Sequence, residues 1–115
     1  MHFQVRTDNH IENSEALTDS IRADVDGALT PRFTDRVRRV EVYLQDMNSH
    51  KKGIDIRCSI EVSLSGHQPV AVDDHASSVE DAVRGATDKV VRALDRMVGR
   101  LGDRSDRVSM SGEET

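Results

Sequence analysis

The feature that most constrains the fold is a strict alternation of apolar and polar residues between positions 54 and 64. Apolar side chains occupy every second position, and the residues between them are charged or carry a hydroxyl group. The six apolar positions are Ile54, Ile56, Cys58, Ile60, Val62 and Leu64. Because successive side chains of a β-strand point to opposite faces, this pattern predicts a strand with one face in a core and the other in water.

Three shorter segments predict the rest of a sheet. Residues 2–7 alternate in the same way and end in turn-forming residues, and residues 40–45 repeat the alternation before a polar turn. Residues 70–72 form a fourth candidate, preceded by Pro69, which suits an edge strand or the start of a strand. We expect a four-stranded, mainly antiparallel sheet.

Two segments have helical periodicity instead. The first begins after a cap at Asn13 or Ser14 and should end by Thr30, because Pro31 cannot continue a helix. Its apolar stripe consists of Leu17, Ile21, Val25 and Ala28 or Leu29.

The second helix is longer, beginning at Ser77 or Ser78 and ending at Gly102. Its predicted buried face comprises Val79, Ala82, Val83, Ala86, Val90, Ala93, Leu94, Met97 and Leu101. Both helices are expected to pack on the one apolar face of the sheet.

The predicted fold class is therefore α+β, with the order β-α-β-β-β-α. At 115 residues the chain is long enough for one core and too short for a second independent fold. We predict one domain over residues 1–102. Residues 103–115 are polar and lack periodicity, so we predict a disordered tail there.

The cations cluster although the net charge is -5. Lys89, Arg92, Arg96 and Arg100 follow one another at steps of three, four and four, which places them on one face of the second helix. We call this set the basic stripe. It indicates a surface for a phosphate backbone, and the alternative interpretation is a solvated helical face with ordinary ion pairs from Asp88 to Arg92 and from Glu80 to Arg84.

A second group of cations precedes the second strand. It consists of Arg32, Arg36, Arg38 and Arg39. A basic cluster of this kind indicates nucleic-acid binding or simply loop charge, and the sequence pI near 5.5 counts against strong non-specific binding.

Composition argues against several other classes of protein. Cys58 is the single cysteine, so no intramolecular disulfide forms, and a reducing cytoplasm fits best. No apolar run approaches the roughly 20 residues that span a bilayer, so we expect no membrane partner. Only Phe3, Phe33 and Tyr43 are aromatic, which argues against recognition of bases by stacking.

Metal binding and catalysis also lack a signal. The five histidines have no zinc-motif spacing, although Asp73, Asp74 and His75 are consecutive. They are His2, His10, His50, His67 and His75. We expect no metal, cofactor or small-molecule substrate and no enzyme, since a hydrolase or metal protein would need a pocket around His10, His75 and nearby acids.

Several short segments carry a resemblance to a known family. They are Thr7-Asp8-Asn9-His10-Ile11-Glu12 with Ser14-Glu15-Ala16-Leu17, Phe33 with Asp35-Arg36-Val37, and Asp88-Lys89-Val90-Val91-Arg92-Ala93-Leu94. Together they resemble the short form of the ribosome hibernation-promoting factor family, also called ribosome-associated inhibitor or ribosomal subunit interface proteins. The resemblance extends over residues 1–101.

This resemblance implies a fold similar to double-stranded RNA-binding domains and a site on the small ribosomal subunit, in the channel for messenger and transfer RNA. It implies that Lys89, Arg92, Arg96 and Arg36 face ribosomal RNA. The family's first-helix cations are replaced here by Asp24 and Gly27, and its tyrosine near the start of the last helix by Glu80.

Our main hypothesis from the sequence is thus a ribosome hibernation factor that occludes this channel. The RNA-binding residues would be the basic stripe together with Arg36, Arg38 and Arg39. The alternative is a protein-binding stress module of the same fold that has lost RNA binding and uses its acidic first helix to contact a protein partner.

Overall fold

The computed structural model describes residues 1–33, 36–47 and 53–110, with side chains described as far as residue 99. The elements are β1 (His2–Thr7), α1 (Glu15–Phe33), β2 (Val37–Asp46), β3 (Ile56–Leu64), β4 (Val70–Ala76) and α2 (Val79–Met110). The predicted order β-α-β-β-β-α is confirmed.

The four strands form one sheet in the order β1-β2-β3-β4. β2 and β3 are antiparallel, as are β3 and β4, whereas β1 and β2 are parallel because α1 crosses between them. The mainly antiparallel sheet is therefore confirmed. β4 is an edge strand beginning just after Pro69, as that proline indicated.

The core lies between one face of this sheet and the inner faces of both helices. The alternation in the sequence explains most of it, because the apolar residues of β3 and those of β2 from Val40 onward share one phase. Val37 is out of this phase and is buried because the register shifts before Arg39. The largest fully buried side chains are Phe33, Leu29, Leu44, Ile60 and Leu94, followed by Val25, Val40, Val42, Val62, Val83, Val90 and Cys58.

Both helices begin at capping serines. The Ser14 hydroxyl accepts the main-chain N–H of Leu17 at 3.1 Å, and the Ser78 hydroxyl accepts that of Asp81 at 3.1 Å. Each bond satisfies one of the four N–H groups that a helix start leaves without a partner. Asn13 instead ties the loop to β1, since its amide donates to the Val5 carbonyl at 3.2 Å.

The predicted end of α1 at Thr30 is wrong, because the helix continues to Phe33 with Pro31 inside its last turn. A proline removes one helical hydrogen bond and crowds the carbonyl four residues earlier. That carbonyl belongs to Gly27. The gain from burying Phe33, which is 1% exposed, offsets this cost.

Two further boundaries differ from prediction. Ile54 lies outside β3 and is 65% exposed, since the last pairing of the β2–β3 hairpin joins Asp46 to Ile56. α2 passes Gly102 and continues to Met110, because an interior glycine costs a helix only about 1 kcal/mol relative to alanine. The division at residue 102 stays a prediction, and residues 111–115 lie outside the described part.

No helix within the described ranges is long and apolar enough to cross a membrane.

Candidate nucleic-acid interface

The structure brings the first three members of the basic stripe to one groove. Lys89, Arg92 and Arg96 are exposed on α2 and, with Ala93 and Val72 of β4, line a groove of about 310 Å³. The groove therefore has a partly apolar lining and three cations between α2 and the edge strand. Arg100 also belongs to α2, but its side chain lies outside the described ones.

Lys89 contacts two residues of β4. Its Nζ atom lies 3.2 Å from Oδ1 of Asp74 and donates to the main-chain oxygen of Asp73 at 3.0 Å. The hydrogen bond from Lys89 lowers the pKa of Asp74 below its ordinary value, although partial desolvation acts in the opposite direction. The sequence does not predict this pair, because Asp74 and Lys89 lie on different elements and their spacing carries no signal.

Arg92 and Arg96 differ from Lys89. Nε of Arg92 donates to the main-chain oxygen of Asp88 at 3.3 Å, so the bond leaves the Asp88 carboxylate unused. Neither arginine forms an ion pair with any residue whose side chain is described. Their positive charges therefore face the groove and solvent.

The two ion pairs of the alternative interpretation do not form. Arg92 contacts the backbone of Asp88, and Arg84 pairs with Asp81 at 3.1 Å instead of with Glu80. The two named ion pairs are therefore wrong, whereas a solvated helical face stays the alternative interpretation for Arg92 and Arg96.

The arginine cluster before β2 divides between two surfaces. The main-chain oxygen of Arg36 accepts the N–H of Ser65 at 2.8 Å, and the guanidinium of Arg38 donates to the Ser65 hydroxyl at 3.4 Å. Arg36 also lies over the Phe33 ring, 5.9 Å from its centroid. Arg36 and Arg38 therefore lie at the turn between β3 and β4.

Arg39 faces away from the helices. It is opposite Ser63 of β3, and its Nη2 atom lies 2.7 Å from Oε2 of Glu41 on the open face of the sheet. The structure therefore separates Arg39 from the groove. Arg32, the remaining arginine of the cluster, is paired across the helices with Asp95, 2.7 Å from its Oδ2.

The chain path directs the stripe toward the Arg36 end of the sheet. α2 follows β4 directly and packs along it in the reverse direction, so Lys89 lies beside Asp73 and Asp74 while the later stripe residues pass Val72. That direction leads to the β3–β4 turn, where Arg36 and Arg38 lie.

Arg92 borders a second groove on the outer side of the helices. This groove, of about 420 Å³, is lined by Ala28 and Arg32 of α1 and by Asp88, Val91 and Arg92 of α2. The same guanidinium can therefore reach a ligand on either side of α2.

The described residues contain no group of three or more His, Cys, Asp or Glu side chains placed to hold a metal ion. His75 is paired instead, with its Nδ1 atom 2.9 Å from Oδ1 of Asp55, and Asp73 is paired with Arg57 at 2.9 Å. Burial raises the pKa of the Cys58 thiol to about 12, which removes it as a nucleophile near neutral pH. His50 lies outside the described residues.

Comparison with known proteins identifies the family. Residues 4–102 match the sequence model of the family described as Sigma 54 modulation protein / S30EA ribosomal protein. The chain belongs to this family. The match confirms the resemblance found from the sequence to ribosome hibernation-promoting factors, and the family is one of ribosome-associated proteins. A search of curated protein sequences gives no match.

Solved structures share the fold of this family member. The N-terminal domain of Thermus thermophilus Protein Y aligns with a TM-score of 0.67 and 21% identity, over 84% of this chain and 99% of that one. A ribosomal subunit interface protein from Coxiella burnetii aligns with a TM-score of 0.66 and 15% identity, over 86% of this chain and 99% of that one. At such identities the likeness concerns the fold.

Proposed function

We propose that this protein is a non-enzymatic, cytoplasmic ribosome-associated factor that binds RNA of the small subunit and occludes the channel for messenger and transfer RNA. The observation that carries the proposal is the groove of a family fold in which Arg92 and Arg96 present guanidinium groups that form no ion pair with the side chains described in the structure. Arg36 and Arg38, together with Arg100, extend this basic surface in the proposal.

The chemistry of RNA recognition supports this assignment. RNA helices are recognised mostly by shape and by phosphate and ribose contacts, and these require cations more than stacking rings. Guanidinium groups bind phosphate oxygens in a bidentate manner. A surface of arginines with few aromatic residues fits a ligand recognised through its backbone.

The distribution of negative charge restricts how RNA can approach. Before its last turn, α1 exposes three acids, Glu15, Asp19 and Asp24, and one cation, Arg22, so this part of the helix repels phosphate. We therefore infer that RNA contacts the side formed by α2, β4 and the β3–β4 turn. The first helix, which supplies cations in the family, would make no phosphate contact in this chain.

Co-sedimentation with purified ribosomal subunits tests the proposal. We expect the wild-type protein to pellet with the small subunit at low salt and the Arg92→Glu, Arg96→Glu variant to remain in the supernatant. The matched control is Arg6→Glu with Arg84→Glu, which makes the same change of charge at exposed positions outside the groove. Absence of wild-type binding at low salt would disprove the function, and full binding by the groove variant would disprove the surface.

The exposed acids of α1 favour a second candidate, a stress module that binds a basic protein partner. Glu15 and Asp19 are one helical turn apart and both are exposed. In this case a pull-down would recover one defined protein without ribosomal RNA, and Glu15→Lys with Asp19→Lys would abolish its capture.

A further inference from the structure

Lys89 differs from Arg92 and Arg96 because it forms an ion pair with another residue of the same chain. It is the one cation of the three described stripe residues that forms an ion pair. Its two acceptors, the Asp74 carboxylate and the Asp73 carbonyl, both belong to β4. The pair therefore joins α2 to the edge strand across the layers of the fold.

The pairing of β4 with β3 determines which way the Asp74 side chain points. It lies opposite Cys58, on the face of β4 that packs toward the helices, with Val72 and Ala76 on the same phase. Its carboxylate rests against Gly85, at the place where any larger residue would put its Cβ. An acid held in this way offers Lys89 a partner before any RNA arrives.

Full use of the Lys89 charge by a phosphate would require Lys89 to leave the Asp74 carboxylate, whereas the Asp73 carbonyl can keep one of the three N–H donors of the ammonium group. The Asp74 carboxylate would then stand without a partner beside an incoming phosphate, and two like charges at that distance repel each other. A lysine neutralised by an internal carboxylate also neutralises no phosphate, so it releases no counterion when RNA binds. Arg92 and Arg96 carry no such cost, because neither pairs with a carboxylate among the described side chains.

We propose that the Lys89–Asp74 pair closes one end of the groove, so that Lys89 holds β4 against α2 while Arg92 and Arg96 contact the phosphates. This inference rests on the proposed function and refines it. It withdraws one of the predicted RNA ligands and makes Lys89 a positioning residue.

The salt dependence of binding to small-subunit RNA tests the roles of the cations, and charge-conserving double variants keep the net charge constant. We expect Lys89→Gln with Asp74→Asn to bind with the same slope of log affinity against log salt as the wild type. The matched variant Arg92→Gln with Asp88→Asn should lower that slope by about 0.9, which is about 3.5-fold between 50 and 200 mM salt. A loss of this size in the Lys89 variant would overturn the inference.

The single variant Asp74→Asn tests the pair independently, because asparagine has nearly the same size and shape as aspartate but carries no charge. It frees Lys89, so we expect the slope to increase by about 0.9 as one phosphate contact is gained. An unchanged slope would overturn the role of Asp74 in withholding Lys89. Failure of the wild type to bind would instead disprove the proposed function, so the two failures are distinguishable.

Discussion

The carboxylate of Asp74 on β4 occupies the space into which a side chain at Gly85 of α2 would project. A Cβ at Gly85 would overlap Oδ2 of Asp74, while the Oδ1 atom of the same carboxylate pairs with Lys89. One small residue thus allows the edge strand and the helix to approach with a charged group between them. The spacing of these two elements shapes the basic groove.

Gly85→Ala should lower the free energy of unfolding by about 1 kcal/mol, although alanine is the better helix former. The added methyl group displaces the Asp74 carboxylate and breaks its pair with Lys89. Urea unfolding followed by circular dichroism measures the change.

Gly27→Ala is the matched control for Gly85→Ala. No atom beyond the neighbouring residues of its own helix lies within 4 Å of the added Cβ, and we expect stabilisation of about 0.5–1 kcal/mol. In an Asp74→Ala background, Gly85→Ala should become stabilising as well. Equal effects of the two glycine substitutions in the wild-type background would contradict the proposed overlap.

The affinity for small-subunit RNA should fall steeply with salt. With ~5 phosphate contacts, counterion release weakens binding roughly 500-fold between 50 and 200 mM salt, and with about four contacts, Lys89 being withheld, about 150-fold. This calibration comes from duplex DNA. Binding titrations at several salt concentrations measure the slope, and a slope near zero would be incompatible with phosphate recognition.

Phe33→Ala should destabilise the fold strongly. Phe33 is 1% exposed in the last turn of α1, and removal of a buried aromatic side chain typically costs ~3–5 kcal/mol. The midpoint of urea unfolding measures this loss. Ile54→Ala, at a position that is 65% exposed, should change stability by less than about 0.5 kcal/mol. Similar midpoints for the two variants would disprove the packing of Phe33.

Cys58 should resist thiol reagents in the folded protein. Desolvation is the main cause that raises its pKa to about 12, and the negative charge of Asp74 adds to it. We expect slow labelling at pH 8 without denaturant and fast labelling in urea.

The same shift predicts a dependence of stability on pH. The folded state favours the neutral thiol, so its contribution is complete below the ordinary pKa of 9.0 and decreases as the pH rises toward 12. Cys58→Ala should lack this alkaline decrease. For the labelling experiment, equal rates in folded and unfolded protein would show that the thiol is accessible and would contradict its burial.

The sequence predicted the periodic elements better than their ends. Alternation identified β3 because burial of one face leaves a period of two in the sequence. The alternation also placed Ile54 in this strand, which is wrong. An apolar residue in phase gives the same sequence pattern whether or not a partner strand extends far enough to pair with it. Pro31 likewise indicated a helix end, but the burial of Phe33, a tertiary effect, kept the last turn helical.

The candidate site was likewise predicted only in part from the sequence. Helical spacing placed Lys89, Arg92 and Arg96 on one face, and the structure brings them together in a groove. Spacing could not separate Arg39 from Arg36 and Arg38, because an irregular register between Val37 and Arg39 decides which face each side chain takes. It also could not identify Asp95, 63 residues away, as the partner of Arg32.

The sequence by itself determined the order of elements, the buried face of each and the family, because these depend on local periodicity and on short matching segments. Only the tertiary structure decided which cations remain free to bind a phosphate. That property depends on the distance between a cation and an acid on a different element, as for Lys89 on α2 and Asp74 on β4. Such distances are set by how the layers pack.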